Sequence, residues 1–583
     1  MDHDHDHGET WAVNASDWNW HTPKPPSHAI PWGNIPLGLF YLGLLIGGPL
    51  VKRGAFGATS FLHRRPLKAL RGGAARTLHV DWATQLTWKE LILLGLFGFG
   101  VVLKFIYNYT WFRAVGRPQP AGRAMSHTIG LLMGFSFILP HNRTAILWLT
   151  GMPKERAVGF HTLCTRSFYW AATLKLIFFI HGYKGTQMGA GHLLDWDMDP
   201  MTVMHADFLG RTEPVVPVLG VMCWVSFTLL FLTSLDYVRR NMWDTFRVLH
   251  LPLVLCTTIL ALYHSPGAAL SWFSVPMFFL AVDKILHWAD VFCKQTEVIA
   301  ITPLGGDACR LVLSRSDNFT YTAGQWVGVN FLNLPGELQG HLGRIGSPHP
   351  YSICTPPGDG SNFEIVIKSM GKGTWSQKVC DWANSGPDAS SIKAEISGPF
   401  GGLQIQLSFF KHIVLFAGGV GVTPLLSIFL DLLEQHKSQS CGESKTPNPV
   451  FQERCKVVLV WAVRDASQAT WFAETWAKVA EKASLKKDIF EVRIFVTGEA
   501  STNPSNDITD SQMQAISGRP SVAEHLEEMK QAFSTDMQDG TLSSGVAVLA
   551  CGPPSLMDDV YDQTQAAQTP DCVFILHRET FVL

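Results

Sequence analysis

Long apolar segments fill the first half of this 583-residue chain and restrict its architecture more than any other pattern in the sequence. A helix needs roughly 17–25 mostly apolar residues to cross the ~30 Å hydrocarbon core of a bilayer, and seven segments approach that length. They lie near residues 34–51, 88–109, 127–149, 163–181, 216–236, 246–264 and 269–287. Because a soluble domain seldom contains so many helices of this length, we expect an integral, multi-pass membrane protein.

Basic residues in the loop after the first apolar segment predict the orientation of the chain. Residues 52–80 contain no acidic residue and seven basic ones: Lys52, Arg53, Arg64, Arg65, Lys68, Arg71 and Arg76. Because loops rich in Lys and Arg stay in the cytosol, the tail over residues 1–33 is expected outside the cytosol. Seven spans within a helical domain over residues 34–290 then return the second half to the cytosol, and the expected location is the plasma membrane.

Net charge and cysteine spacing argue against nucleic-acid binding, a zinc site and a disulfide framework. The formal net charge is −2 and the pI is about 6.9, so no broad positive field attracts nucleic acid. The eleven cysteines form no CxxC pair, which indicates neither a zinc site nor a disulfide framework. We therefore expect a protein that does not bind nucleic acid and whose cysteines serve as apolar side chains.

The second half of the chain has the patterns of two soluble domains. Over residues 294–405, short alternating runs separated by Gly, Pro, Asn and Asp predict an antiparallel β-barrel. Over residues 406–583, apolar strands alternate with helical patterns, which predicts a doubly wound α/β nucleotide domain. The whole chain is therefore expected to be a multi-domain protein.

A glycine cluster marks the expected nucleotide site. The strand HIVLFAGG runs directly into GVGVTPLLSI, so Gly418, Gly419 and Gly421 lie where a strand turns into a helix. Without side chains there, a pyrophosphate can reach backbone N–H groups at the positive end of the helix. The residues expected to border the nicotinamide come from this turn and from the turn after strand GVAVLA: Thr423, Pro424, Cys551, Gly552 and Pro553.

Arg464 directly follows the strand VVLVWAV and is a candidate for recognising the nucleotide's 2′-phosphate. A charge-assisted contact with that phosphate favours NADPH over NADH. A surface salt bridge is the alternative role for this side chain.

The order of six motifs, HPYSI, KSMGKGT, GPFG, GGVGVTP, WAVRD and CGPP, resembles the ferredoxin-reductase-like dehydrogenase module of ferric-chelate reductases and NADPH oxidases. The resemblance extends from about residue 294 to the end. It implies an FAD-binding barrel over residues 294–405 and an NADPH-binding α/β domain over residues 406–583, after a transmembrane haem domain.

The resemblance also implies roles for residues around the flavin. Tyr351 is expected to pack on the isoalloxazine and Ser352 to form a hydrogen bond near its reactive edge, while His349 and Pro350 shape the strand. Phe581 is expected to shield the flavin until nicotinamide displaces it, although Val582 and Leu583 follow it here. The expected cradle of the FAD pyrophosphate comprises Gly371, Gly373 and Thr374.

A hydride carries two electrons, whereas a metal ion or dioxygen accepts them singly. A one-electron carrier within the membrane must therefore pass the electrons across it one at a time. The resemblance implies two b-type haems held by neutral imidazoles on two helices. His250 and His264, 14 positions apart and so about 21 Å apart along a helix, match one of those helices.

The ligands on the other haem helix remain open. Motif order favours His161 with His181, although the position 14 after His161 is Lys175. Spacing favours His127 with His141, which are also 14 apart.

The sequence favours a ferric-chelate reductase that passes electrons from NADPH through FAD and an inner and an outer haem to extracytosolic Fe(III). The acidic loop over residues 182–215, with Asp195, Asp197 and Asp199, suits a cationic acceptor. A superoxide-forming NADPH oxidase with dioxygen as acceptor is the alternative enzyme. A transporter or channel is disfavoured because no broken spans in an inverted repeat are evident, and the sequence identifies no accessory subunit.

Overall fold

The chain is described as a computed structural model, which divides into two compact units, Met1–Asp283 and Lys284–Leu583. The residues that it describes are 88–114, 120–140, 154–184, 199–206, 211–215, 217–264, 276–286, 295–316, 319–331, 349–358, 360–372, 374–388, 392–403, 405, 407–440, 456–483, 489–498, 513–538, 545–569 and 571–579. The predicted tail, the first span, the basic loop over 52–80, and the residues His141, Gly373 and Phe581 lie outside this set. The exact domain boundaries stay predictions.

The first unit is built from helices. They are α1 (Trp88–Ala114), α2 (Pro120–Ile138), α3 (Lys154–Lys184), α4 (Pro217–Thr233), α5 (Asp236–Asn241), α6 (Trp243–His264) and α7 (276–286), which continues past the boundary at Asp283. A hairpin of β1 (Asp199–Ala206) and β2 (Arg211–Val215) precedes α4.

Helix α2 is placed differently from the segment predicted over residues 127–149. It begins at Pro120, where the ring suits the first turn of a helix, and ends at Ile138. Pro140 follows shortly after, and the residue before a proline is biased away from helical backbone angles. The apolar pattern alone therefore placed this helix too late in the chain.

The outer faces of these helices carry large apolar side chains. Phe99, Trp170, Leu251, Tyr263 and Ile285 are between 61% and 71% exposed. Such extensive exposure is unusual for a soluble surface and suits contact with lipid.

Only one stretch among the described residues, Ala157–His181, is both long and apolar enough to cross a membrane on length and composition. Pro217–Thr233 and Val248–His264 are apolar but shorter. The number of seven spans stays a prediction.

The first sheet of the second unit is antiparallel. Its strands are β3 (Gln295–Leu304), β4 (Ala308–Ser314), β5 (Trp326–Phe331), β6 (His349–Ser352), β7 (Asn362–Lys368) and β8 (Lys393–Phe400), in the order β6-β5-β8-β3-β4-β7. A bridge between Ile353 and Ile365 joins the two edges and closes the sheet. Helix α8 (Trp375–Asn384) packs on β3, β4 and β7.

The second sheet is parallel. Its strands are β9 (His412–Gly418), β10 (Lys456–Val463), β11 (Phe490–Val496), β12 (Met513–Ser517), β13 (Val546–Cys551) and β14 (Phe574–Glu579), in the order β12-β11-β10-β9-β13-β14. The longer helices are α9 (Val422–Ser440), α10 (Ala473–Ala483), α11 (Val522–Gln538) and α12 (Pro554–Ala567), and a short helical turn (Ala466–Ala469) follows β10. Buried side chains cover both faces, as parallel sheets require. The fold class predicted from the sequence is confirmed.

Candidate functional site

The turn after β9 and the turn after β13 lie against each other, backbone to backbone. The two strands are parallel neighbours, with Cys551 opposite Ala417. A Cβ atom added at Gly421 would lie 2.5 Å from the carbonyl oxygen of Cys551, and one at Gly418 would lie 2.5 Å from Cδ of Pro553. Only glycine permits this approach, so the two predicted nucleotide motifs form one wall at the carboxyl edge of the sheet.

The glycine turn itself has a defined conformation. Gly419 has φ of 54°, which a residue with a side chain adopts only with strain, and Gly419–Gly421 form a single 3₁₀ turn. Thr423 Oγ1 donates to the carbonyl oxygen of Val420 at 2.9 Å, which closes the turn onto α9. The start of α9, with Pro424 in its first turn, therefore presents its positive end beside the glycines.

Trp461 supports this turn and was not identified from the sequence. Its buried Nε1 donates to the carbonyl oxygen of Gly419 at 2.9 Å. The side chain packs among Trp471, Phe472 and Trp476. The sequence places Trp461 in an apolar strand and in the motif WAVRD, and neither feature distinguishes an indole that holds a turn from one that fills a core.

Arg464 is exposed at the carboxyl end of β10, the neighbour of β9. Its backbone N–H donates to Oε1 of Gln468 at 3.1 Å, and the Asp465 carboxylate accepts from the backbone N–H of Ser467 at 2.9 Å. Because Asp465 caps the following helical turn, the chain direction after β10 is fixed. The Arg464 side chain lies on the same edge of the sheet as the glycine turn.

The HPYS motif forms β6, which pairs with β5 so that Tyr351 lies opposite Val327 and Ser352 opposite Trp326. The His349 imidazole stacks on the Trp375 indole with centroids 4.1 Å apart and planes 8° apart. This contact ties the strand to the start of α8.

Burial raises the pKa of the Tyr351 phenol well above its usual range, and the nearby thiols of Cys309 and Cys380 contribute further. The phenol therefore stays neutral at physiological pH. The ring is partly buried and packs against the cluster that contains Cys309 and Cys380, so only its exposed part is available to a flat cofactor ring.

The segment between β7 and α8 forms a concave site. Gly371 has φ of 122°, and a Cβ atom there would meet nothing within 4 Å. Thr374 caps α8: its Oγ1 accepts from the backbone N–H of Gln377 at 3.3 Å and donates to the carbonyl oxygen of Gly371 at 2.7 Å. A cavity of about 590 Å³ lies here, lined by Asp307, Ser369, Gly371, Lys372, Gln377 and Asp381.

The lining of this cavity suits an anion such as the pyrophosphate of FAD in part of its charge. The open backbone at Gly371, the Lys372 ammonium group and the first turn of α8 favour an anion. The carboxylates of Asp307 and Asp381 oppose it, so they are better placed toward hydroxyl groups of the cofactor than toward its phosphates.

Four of the five candidate haem-ligand histidines in the described residues lie on α3 and α6. His161 Nδ1 donates to the carbonyl oxygen of Ser136 on α2 at 2.8 Å, and His250 Nδ1 lies 3.2 Å from Ser234 Oγ. A Cβ atom added at Gly220 of α4 would lie 2.6 Å from Cε1 of His264. Since an imidazole with one hydrogen-bonded nitrogen can present the other to a metal, His161 and His250 fit haem ligation.

His181 and His127 fit less well. Helix α3 runs without a break from Lys154 to Lys184, so His181 lies about 30 Å along it from His161, against about 21 Å between His250 and His264. The His181 side chain is exposed. His127 stacks on Phe112 of α1 with centroids 5.9 Å apart, so it faces α1. The assignment of each histidine stays a prediction.

Two family models match the chain. Residues 126–261 match the model described as "Ferric reductase like transmembrane component", and residues 410–565 match "Ferric reductase NAD binding domain". The first covers most of α2 to α6, and the second covers the glycine turn and the turn after β13.

Similar proteins include reductases and oxidases. "Ferric reduction oxidase 7, chloroplastic" of Arabidopsis thaliana is 24% identical over 64% of this chain and 47% of its own length. A superoxide-generating NADPH oxidase heavy chain of Dictyostelium discoideum is 21% identical over 85% of this chain and 97% of its own. Among solved structures, flavohemoglobin from Malassezia yamatoensis has a TM-score of 0.36 and 13% identity, over 80% of this chain and 98% of that one.

Proposed function

Since the chain belongs to the ferric reductase and NADPH oxidase superfamily, we propose that it transfers electrons across a membrane from NADPH to ferric iron. It is an oxidoreductase, and the cofactors of the chain are those of this superfamily: FAD, NADP(H) and haem. Ferric-chelate reduction, two haems per chain and a cytosolic second half are the specific parts of the proposal.

The observation that carries this proposal is the presence, in one chain, of two complementary elements. The joined turns of β9 and β13 form a nucleotide wall, whereas α3 and α6 carry histidines inside an apolar helical unit. Flavin accepts a hydride and releases single electrons, and haem carries single electrons. A soluble reductase would not need the histidine-bearing helices, and a channel would not need the nucleotide wall.

The residues proposed to act in the second unit hold and orient the nucleotides. Gly418, Gly419 and Gly421 let the pyrophosphate of NADPH approach the backbone, and Arg464 binds the 2′-phosphate. Tyr351 and Ser352 position the flavin ring, while Gly371 and Thr374 shape the cradle for its pyrophosphate. Gly373 and Phe581 keep the cradle and shielding roles predicted from the resemblance.

The residues proposed to act in the first unit hold the haems. His161 and His250 bind one haem, and His264 binds the other with a partner from α3, for which motif order predicts His181. Each imidazole would supply a nitrogen lone pair to iron, and in His161 and His250 the hydrogen-bonded Nδ1 leaves Nε2 for that role.

The test uses vesicles that separate the nucleotide from the acceptor. The purified full-length protein is reconstituted with a membrane-impermeant ferric chelate inside, and NADPH is added outside in anaerobic buffer. Ferrous iron is expected to form inside at a rate that saturates with NADPH. The His250→Ala variant should accept hydride from NADPH at the parental rate but form almost no internal ferrous iron, because one haem of the proposed electron path would be lost.

The alternative acceptor is dioxygen, and the similar Dictyostelium protein, of which the match covers 97%, is a superoxide-generating oxidase. In aerobic vesicles without iron, an oxidase would release superoxide inside. Iron reduction that vanishes anaerobically or on adding superoxide dismutase inside would replace the reductase proposal with the oxidase.

A further inference from the structure

Lys175 lies in the second half of α3, six residues before the end of Ala157–His181, the stretch that is long and apolar enough to cross a membrane. A lysine at such a position is costly unless it has a partner, and buried ionisable groups in spans mark functional sites. Its Nζ lies 5.7 Å from the centroid of the Phe179 ring. Among the described residues, no carboxylate forms an ion pair with it.

Lys175 lies on the same face of α3 as His161. Fourteen residues at about 100° each bring a side chain to within about 40° of its starting direction, and raise it about 21 Å along the helix. The same offset relates His250 and His264 on α6. By contrast, the 20 residues between His161 and His181 turn the side chain about 160° away.

The two helices run in the same direction, because both are antiparallel to α4. Along α3, Tyr169 stacks on Phe231 and Thr173 accepts from the indole of Trp224. Along α6, His250 lies beside Ser234 at one end, and His264 contacts Gly220 at the other.

Their midpoints lie at one depth. Phe168, seven residues from both His161 and Lys175, meets the Phe227 ring with centroids 4.2 Å apart. Thr257, seven residues from both His250 and His264, lies 2.9 Å from the Ser226 hydroxyl, Oγ1 to Oγ. Because Ser226 and Phe227 are adjacent on α4, His161 is level with His250, and Lys175 is level with His264.

The two faces also converge on one buried cluster. Phe168 of α3 belongs to it, and Leu253, Val254 and Ala261, which lie between the two histidines of α6, pack against it. The faces of α3 and α6 that carry these two pairs therefore pack into the same buried cluster.

We propose, on the premise of the two-haem function above, that Lys175 rather than His181 is the α3 ligand of the outer haem, opposite His264. To hold the iron, the Lys175 ammonium group would release its proton to water, and the neutral amine would supply a nitrogen lone pair as a ligand. No electron moves in this step. Coordination removes the cost of a charge in the span, and His181 is left on the opposite, exposed side of α3.

An ion pair between Lys175 and a haem propionate is the competing role. Arginine separates the two, because a guanidinium keeps the positive charge but does not deprotonate to become a ligand. A histidine at this position tests the opposite case, because it can coordinate iron but has no permanent positive charge for an ion pair.

The experiment compares the purified full-length protein with Lys175→Ala, Lys175→Arg, Lys175→His and His181→Ala. Haem per chain is measured by pyridine haemochrome, and axial ligation by the low-temperature EPR spectrum of the ferric protein. We expect Lys175→Ala and Lys175→Arg to lose one of two low-spin haem signals. Lys175→His should keep two haems but convert the amine–imidazole signal to a second bis-imidazole signal, and His181→Ala should match the parent.

Two unchanged low-spin signals in Lys175→Ala would overturn the assignment, as would loss of one signal in His181→Ala. Full recovery in Lys175→Arg would assign Lys175 to an ion pair instead. A parent protein with fewer than two haems would overturn the two-haem function itself, which is a separate result from the exchange of one ligand for another.

Discussion

Arg464 is the residue on which the choice between NADPH and NADH is expected to depend. It is exposed at the carboxyl end of β10, and the neighbouring Asp465 is committed to capping the next turn. We expect Arg464→Ala to raise KM for NADPH roughly 10- to 100-fold, since a charge-assisted contact contributes about 1.5–3 kcal/mol. KM for NADH should change little, because NADH has no 2′-phosphate.

Steady-state reduction of a soluble dye by the purified protein measures both constants. Arg464→Lys should retain part of the preference, and Lys530→Ala, which removes a positive charge on α11, should retain all of it. Equal losses with both nucleotides would place the 2′-phosphate elsewhere.

Single residues were predictable where backbone geometry decides the residue type. At Gly418 and Gly421 any side chain would collide with the neighbouring turn. A glycine cluster after an apolar strand therefore predicts such a turn from the sequence alone. Trp461 and Trp375 were not predictable, because their indoles contact residues distant in sequence, Gly419 and His349. The sequence shows Lys175 at the position 14 after His161. That Lys175 lies at the same depth as His264 follows only from the contacts of α3 and α6 with α4.

The joined turns of β9 and β13 form the structural element most sensitive to a small change. A methyl group at Gly421 would lie 2.5 Å from the Cys551 carbonyl oxygen, so one backbone must move. We expect Gly421→Ala to destabilise the second unit by about 1–3 kcal/mol and to weaken NADP⁺ binding. Gly358→Ala is the matched control, because its added Cβ meets only Glu434 Oε2, at 3.6 Å.

Thermal unfolding of the purified protein, followed with and without NADP⁺, measures both effects. Gly421→Ala should lower Tm and reduce the rise in Tm that NADP⁺ produces, whereas Gly358→Ala should behave like the parent. If Gly421→Ala kept the parental NADP⁺ response, the nucleotide would not be held by this turn.

Elements were predictable where the chain's apolar pattern has clear ends. The segment predicted over residues 216–236 is helix Pro217–Thr233, since Pro217 suits its first turn and Asp236 begins the polar link to α6. The segment over 127–149 was misplaced because apolar residues continue past Ile138, beyond the end of α2. Strand order was predictable as a class, because alternating strands and helices imply a parallel sheet.

At the scale of the whole molecule, the six motifs in order indicated the two sheets and the nucleotide chemistry, whereas the acceptor is the least determined feature. Motifs on the NADPH side bind a fixed cofactor and so constrain residue types. The acceptor needs only to reach the outer end of the electron path, and the family matches include both reductases and oxidases.

The acidic loop over residues 182–215 is the feature expected to separate these acceptors. An oxidase requires no cation site, whereas carboxylates near the outer haem would concentrate a cationic acceptor. Replacing Asp195, Asp197 and Asp199 together with Asn should therefore raise KM for aqueous ferric ion on the order of tenfold and leave NADPH-driven haem reduction unchanged. For an anionic ferric chelate the effect should shrink or reverse, because carboxylates repel it.

Stopped-flow haem reduction and ferrous-iron formation measure the two halves of this prediction separately. Replacing Asp558, Asp559 and Asp562 of α12 with Asn removes the same charge from the second unit and should change neither. Since Coulomb interactions between exposed charges are screened over about 8 Å at physiological salt, the loop effect should weaken as ionic strength rises. If the loop variant handles ferric ion and the anionic chelate as the parent does, at low salt, and superoxide forms faster than ferrous iron, the loop does not serve a metal and dioxygen is the acceptor.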